Sequence, residues 1–503
     1  MSITGAGSIT AANVLAQTNM MNQLNTLSEE LGTGQAAQTY SGLGSQAGLA
    51  LALNAQLSDI GGYSSAATTV GTTLSIAQST LTQIGSAGNA VEQAVSQQGT
   101  FSLDNTGQTA TQESAASYLD QILSLLNTQV GNNYIFSGSA VDQPSVASTN
   151  EILNGNGAQA GLTQLIAERQ QADLGANGLG RLTVAAVGST VSISQDGSPF
   201  GFQLASVNSS LTGATVTGPS GSPPSISVDL GANPNAGDSI EFDLTLPDGS
   251  SQTITLQATT NSPPGANQFT IGSTPAATAT NLQSALTTAV GNLAQTALPA
   301  ASAIAAADNF FTSDPPQVVD AGNPPDYATA MSLVNGTAAN TVFWYTGENG
   351  STPALQTATA QVGPSMTIAY GMRATEPAIS SLVANVAVLA ATTYSASDPN
   401  AQASYQALCQ SVRANLAGQP GTQQISDIEA QLANAQTTVK NATTTNTQTQ
   451  TTLQDMMQNI DGVNQTQIGE QILTLQNSLS ASMSVTARLA QLSLVNYLAP
   501  SSG

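Results

Sequence analysis

The feature that most constrains this chain is a run of small and apolar residues at Ala67, Val70, Leu74, Ala77, Leu81, Ile84, Gly88, Val91 and Val95, spaced alternately by 3 and 4. A heptad seam kept for about four heptads predicts a long helix that buries one stripe against a partner helix. Weaker pieces of the same pattern flank it: Met20, Leu24, Leu27 and Leu31, then Leu49, Leu53, Leu57 and Ile60, and later Ala115, Leu119, Ile122 and Leu126. The C-terminal end mirrors this. Ile425, Ile428, Leu432, Ala435, Val439, Ala442, Asn446, Thr449, Leu453, Met456, Ile460 and Val463 keep the alternation, with Asn446 and Thr449 as polar seam positions of the kind that set register. A second stripe carries Ile468, Ile472, Leu475 and Leu479, then Val485, Leu489 and Leu492. No proline lies between Pro420 and Pro500, as long helices require.

The faces beside these seams hold Thr, Gln, Asn, Ser and Ala where an ordinary coiled coil places Glu and Lys. Helices that gain so little from ion pairs are marginal alone and need neighbours on several faces. The middle of the chain reads differently. From about residue 180 to 275 it alternates in the manner of strands: Ile240, Phe242, Leu244 and Leu246, a Pro247-Asp248-Gly249 turn, then Ile254 and Leu256. Further strands are expected at 183–187, 190–194, 200–204 and 226–230, separated by Gly/Pro/Ser clusters such as 218–224. A helical piece carries Leu282, Leu286 and Leu293; strands return at 341–345 and 366–370, and a helix at 376–394. The expectation is an α+β chain. Long antiparallel coiled-coil helices from both termini form a bundle, 1–136 and 366–503, with an inserted β-rich region at 137–365 projecting from it.

Composition removes most chemistry. There is no histidine, which excludes a His base, a His metal ligand and any Ser–His or Cys–His pair. Cys409, the single cysteine, can form neither an internal disulfide nor a cysteine zinc site, and its stripe with Tyr405, Val412 and Leu416 suits a core position. Six Lys and Arg against 29 Asp and Glu, a net charge of −23, cannot neutralise a phosphate backbone, so nucleic acid is not an expected partner. The glycine clusters at 42–48 and 175–180 have the wrong spacing for a dinucleotide loop, and the one lysine, Lys440, lies in an expected helix rather than a phosphate loop. Asp314, Asp320 and Asp326 do not follow calcium-loop spacing, and adjacent Glu29 and Glu30 do not face one site on a helix. No catalytic residue, cofactor or metal is expected. The apolar stretch 382–391 is half the length of a membrane span, so a buried helix and no membrane span are expected. The opening residues 1–7 lack a basic segment followed by an apolar one, so export by a route other than the general one is expected.

At this point the sequence resembles the bacterial flagellin family. The string at 133–139, Asn-Tyr-Ile-Phe-Ser-Gly-Ser, is similar to the family's N-Y-I-F-(A/S)-G segment, and 479–498 is similar to a family tail of pattern V-T-A-R-I…L-S-L-L-D-Y-L. Residues 24–34 resemble L-S-x-x-L-(S/A)-T-G, while 35–44 stand where filament members carry R-I-N-S-A-x-D-D-A-A-G. Residues 167–175 and 343–347 look like those of large members with an extended middle. The likeness is greatest to the hook-associated members at the hook–filament junction, with a filament flagellin as the alternative and an extracellular adhesin or surface enzyme as readings of other classes. The resemblance implies a secreted, extracellular subunit of the flagellum. Its partners would be copies of itself, other hook-associated proteins and flagellin, with an export apparatus and an export chaperone. The assembly surface would be carried by Met20, Leu24, Leu27, Leu31, Leu74, Leu81, Leu453, Ile460, Ile472, Leu475, Leu479, Leu489 and Leu492.

Overall fold

The computed structural model describes residues 3–97, 101–418 and 420–498, and their side chains over 11–97, 101–418 and 420–491. The fold is α+β, with long helices at both ends and a β-rich middle. Two compact units divide the chain: Met1–Thr69, Ala360–Ile368 and Thr438–Gly503 form one, Val70–Thr359 and Ala369–Thr437 the other.

In the first unit, α1 (Ile3–Thr33) packs along α11 (Gln465–Leu498). The Gln17 amide donates to Ser482 and Thr486 at 3.3 and 3.0 Å, and Gln35 bridges Gly462, so the two helices run antiparallel. The α11 seam is Ile468, Ile472, Leu475, Leu479, Ser482, Thr486 and Leu489. Val485, expected on that stripe, is exposed; Thr486 replaces it because the heptad continues through polar Ser482, which Gln17 engages. The first part of α2 (Ala47–Ser96) and the last part of α10 (Ile425–Asp461) share a small core of Leu53, Ile60 and Leu453, with Leu57, Tyr63, Met457 and Ile460 against it. Two assignments shift by one residue here. Met457 takes the seam place expected of Met456, and Ala50 the place expected of Leu49, which is exposed. Asn446 is buried, and its amide donates 2.9 Å to the Val362 carbonyl in the hairpin of β13 (Thr359–Gly363) and β14 (Met366–Ala369).

The second unit holds the rest of the α2 seam, and every large residue of it from Val70 to Val95 is buried. Beside it α3 (Ala110–Leu126), α5 (Leu162–Leu174), α7 (Ala297–Thr312) and α9 (Ala401–Leu416) pack around α8 (Pro377–Ala391). The apolar helix α8 is interior to this unit. Its Asn385 is satisfied by accepting from Asn415 at 3.0 Å and donating to the Ser381 carbonyl at 2.8 Å. Cys409 is fully buried on α9.

The β-rich part has two four-stranded sheets. One runs in the order β3 (Leu182–Val187), β4 (Thr190–Gln195), β7 (Ser225–Leu230), β6 (Ala214–Ser220). The other runs β10 (Gln268–Thr270), β9 (Ser251–Thr259), β8 (Ser239–Thr245), β5 (Gln203–Ser209), antiparallel but for the β10–β9 pair. The expected hairpin is present: Ile240, Phe242 and Leu244 point into the core, Leu246 accepts from Gly249, and Gly249 supplies the positive φ of +81° that the turn needs. Inward side chains of both sheets and one face of α6 (Pro275–Gln295), with Leu282, Leu286 and Val290, form a single core.

Two expected strands are corrected. The segment 200–204 alternates because Phe200 and Phe202 both pack inward, yet pairing begins only at Gln203. Gly201 lies at φ +70° and its N–H donates to Asp173, which turns the backbone away from the sheet. Residues 341–345 are extended but form no strand. They meet two separate loops through single bridges, Ala160 with Thr341 and Val146 with Tyr345. The short α4 (Thr149–Asn154), α5, α7, β6, β10, and the antiparallel pairs β1 (Gln129–Val130) with β2 (Asn133–Tyr134) and β11 (Gln317–Val319) with β12 (Leu333–Asn335) had no counterpart in the sequence pattern.

Candidate assembly surface

Among the described residues, three ion pairs engage half of the chain's cations. On α5 the Arg169 guanidinium donates to Asp173 at 2.9 Å, and Asp173 also accepts from Gly201. Arg181 donates to the Ala172 carbonyl at 2.6 Å and to Asp196 at 3.0 Å. The Phe200 ring lies 5.1 and 5.5 Å from the two guanidinium carbons, within cation–π range. Burial pushes the Asp173 carboxyl up despite Arg169 beside it. For Asp196 burial also pushes upward, but bonds from Ser198 and Arg181 together hold it below its ordinary value. Arg373 pairs with Glu348 and donates 2.7 Å to the Thr352 carbonyl. This pair sits where the Phe136-Ser137-Gly138 string meets Met372-Arg373-Ala374: Gly138 donates to Met372, Ala374 to Phe136 and Glu348 to Ser137. Strings at 133–139 and 343–347 thus meet as packing anchors, with Trp344 donating to the Phe311 carbonyl at 3.0 Å.

A cleft of about 1190 Å³ in the second unit is lined by Asp308, Trp344, Asn385, Asn415 and Glu429, among others. Trp344, Asn385 and Asn415 are already bonded to the protein, and Glu429 accepts from Thr82 at 2.7 Å.

The surface of the first unit is of another kind. Fifteen large apolar side chains are exposed among the described residues, and twelve of them lie in this smaller unit. On α1 they are Val14, Leu15, Met21 and Leu31; on α11, Leu473, Met483 and Val485. Against this the unit carries few charges: Glu29, Glu30, Asp59, Asp455, Asp461 and Glu470 with Lys440 and Arg488, a net −4 of the chain's −23. An apolar, weakly charged helical surface is suited to close packing of identical copies.

The residues singled out from the sequence fall into three groups. Met20, Leu24, Leu27, Ile472, Leu475, Leu479 and Leu489 are half-buried on α1 and α11, with Leu453 buried and Ile460 half-buried beside α2. Leu74 and Leu81 are fully enclosed by their own chain and present no outer surface. Leu31 is 36% exposed, because Glu30 takes the half-buried place beside it. The side chain of Leu492 lies outside the described residues. The outward residues Leu15, Met21, Leu473 and Met483 are off the seam. Seam periodicity does not mark them, although apolar residues at expected solvent positions are the available sign of a partner.

Residues 7–141 match a family model described as the bacterial flagellin N-terminal helical region. The match spans α1, α2, α3 and the Asn133–Phe136 string. The match supports a relation to the bacterial flagellin family, a family of structural flagellar subunits. A comparison with curated proteins gave no match. No helix among the described residues is long and apolar enough to cross a membrane.

Proposed function

We propose that this chain is a structural subunit at the hook–filament junction of the bacterial flagellum, assembling with copies of itself through the outward faces of its terminal helices. The observation that carries the reading is the concentration of exposed apolar residues and the scarcity of charge on the first unit. The seam residues from Met20 to Leu27 and from Ile472 to Leu489 hold α1 to α11, and their neighbours one step off the seam meet adjacent subunits. Other hook-associated proteins and flagellin are its neighbours, and an export apparatus with a chaperone delivers it. The β-rich region stands outside these contacts. The junction assignment rests on the tail at 479–498 and the altered string at 35–44.

Electron microscopy of cells lacking the chain tests this. Hooks without filaments are expected, and restoring the chain should place about one helical turn of subunits between hook and filament. Normal filaments in the deletion strain would overturn the flagellar reading. Labelling along the whole filament would overturn the junction assignment in favour of a filament subunit.

A further inference from the structure

We propose that Met21 and Met483 are oxidation sites that control self-association, an inference resting on the assembly surface described above. Seven of the nine methionines fall in the first unit: Met1, Met20, Met21, Met366, Met456, Met457 and Met483. Met21 follows the seam residue Met20 on α1, and Met483 follows the seam residue Ser482 on α11. Antiparallel helices are related by a two-fold axis across their seam. That places the positions just after equivalent seam residues along the same edge. The bonds from Gln17 to Ser482 and Thr486 fix the stagger. Met21 and Met483 therefore lie within about one turn of each other, roughly 5 Å along the axis. Val14, which follows the seam residue Asn13, extends the same edge. The two methionines are 51% and 47% exposed, whereas Met20 is half-buried in the seam and Met372 is buried in the second unit.

The reacting class is a hydroperoxide. A sulfur lone pair attacks the terminal OH oxygen, the S–O bond forms as the O–O bond breaks, and the departing alkoxide or hydroxide takes the proton from the new S–OH group and leaves as an alcohol or, from hydrogen peroxide, as water. Sulfur loses two electrons and the peroxide gains them. The product sulfoxide is a strongly polar group where an apolar thioether stood, which opposes burial against a neighbouring subunit. The chain's only thiol, Cys409, is fully buried and does not compete for oxidant. A free subunit is therefore open to this change, and an assembled one is shielded from it.

The test uses the full chain and hydrogen peroxide. Peptide mass spectrometry follows oxidation at each methionine, and sedimentation measures association before and after. Met21 and Met483 should oxidise before Met20 and Met372, with association weakened about tenfold. The Met21→Leu/Met483→Leu variant, treated alike, should associate as the untreated chain does. Equal oxidation of Met20 and Met21, unchanged association of the oxidised chain, or equal loss in the double variant would overturn the proposal. If the untreated chain does not associate at all, the assembly reading itself falls, and this control with it; that result is separate from the oxidation rates.

Discussion

Arg169 and Asp173 show how a chain with six cations places them. Asp173 is completely buried, and its partners are one guanidinium, the Gly201 N–H and the Ser302 hydroxyl. Removing the guanidinium leaves a carboxyl without its charge partner, so Arg169→Met should destabilise the second unit by about 3–5 kcal/mol in denaturant titrations. A smaller loss in the Arg169→Met/Asp173→Leu double variant would show that the unpaired charge, not lost packing, sets the cost. The pH dependence has two signs. Glu348 is pushed up by burial, but Arg373 and the Gly350 N–H outweigh this and hold it below its ordinary value. A depressed folded value gives stability that is present above the unfolded value, about 4, and lost as pH falls through the folded one. Asp196 behaves alike, while Asp173, raised by burial, contributes stability at low pH that is lost as pH rises through its folded value. Melting curves of Glu348→Gln should accordingly be less acid-sensitive than wild type below about pH 4. These pairs were not legible beforehand, because nothing local in the sequence links Arg373 to Glu348 or Gly201 to Asp173.

Among the elements, the seams were the most legible part. The run from Val70 to Val95 is buried as its spacing requires. The misses at Met456, Leu49 and Val485 share one cause: an apolar residue stood beside a small, polar or equally apolar one, and hydrophobicity alone chose the wrong neighbour. Phase was instead fixed by polar seam residues, by Gln17 on Ser482 and Thr486 and by Asn446 on Val362. On α11, Leu475→Asp should weaken the α1–α11 pairing by roughly 1–3 kcal/mol and abolish assembly, with the unfolding of the second unit unchanged. Thr474→Asp, exposed on the same helix, is the mild control. Normal assembly of Leu475→Asp would remove α11 from the account. The β-rich part was legible where strands alternate and illegible where a loop alternates for another reason, as at Phe200 and Phe202. Its separability follows from where its ends meet. Gly180 approaches Leu298 so closely that an added methyl would stand 3.0 Å from that side chain. Replacing 182–295 with a short Gly/Ser joint should therefore leave α3, α7, α8 and α9 folded by circular dichroism, while α5 loses the Gly201 bond to Asp173 and the Phe200 ring beside Arg169. The shortened chain should still be incorporated; failure to incorporate although folded would give this region an essential contact.

At the scale of the molecule, charge and apolar surface divide in opposite ways. The second unit holds most of the negative charge, and the first holds most of the exposed apolar side chains. Low charge on the first unit limits repulsion between identical acidic copies. Its helix pairs carry Thr, Gln and Ser beside the seams, and under the proposed assembly contacts between copies supply much of their stability. Periodicity could mark which residues hold α1 to α11. It could not mark which residues look outward, because that depends on a partner absent from the sequence. The most direct measurement is association of the full chain by sedimentation in Leu15→Gln/Leu473→Gln, whose side chains are 64% and 62% exposed. Val187→Gln/Met331→Gln, exposed on the second unit, is the comparison. The account predicts unchanged helicity in both, association weakened about tenfold or more in the first and unaltered in the second. Equal association in the two variants and wild type would contradict it.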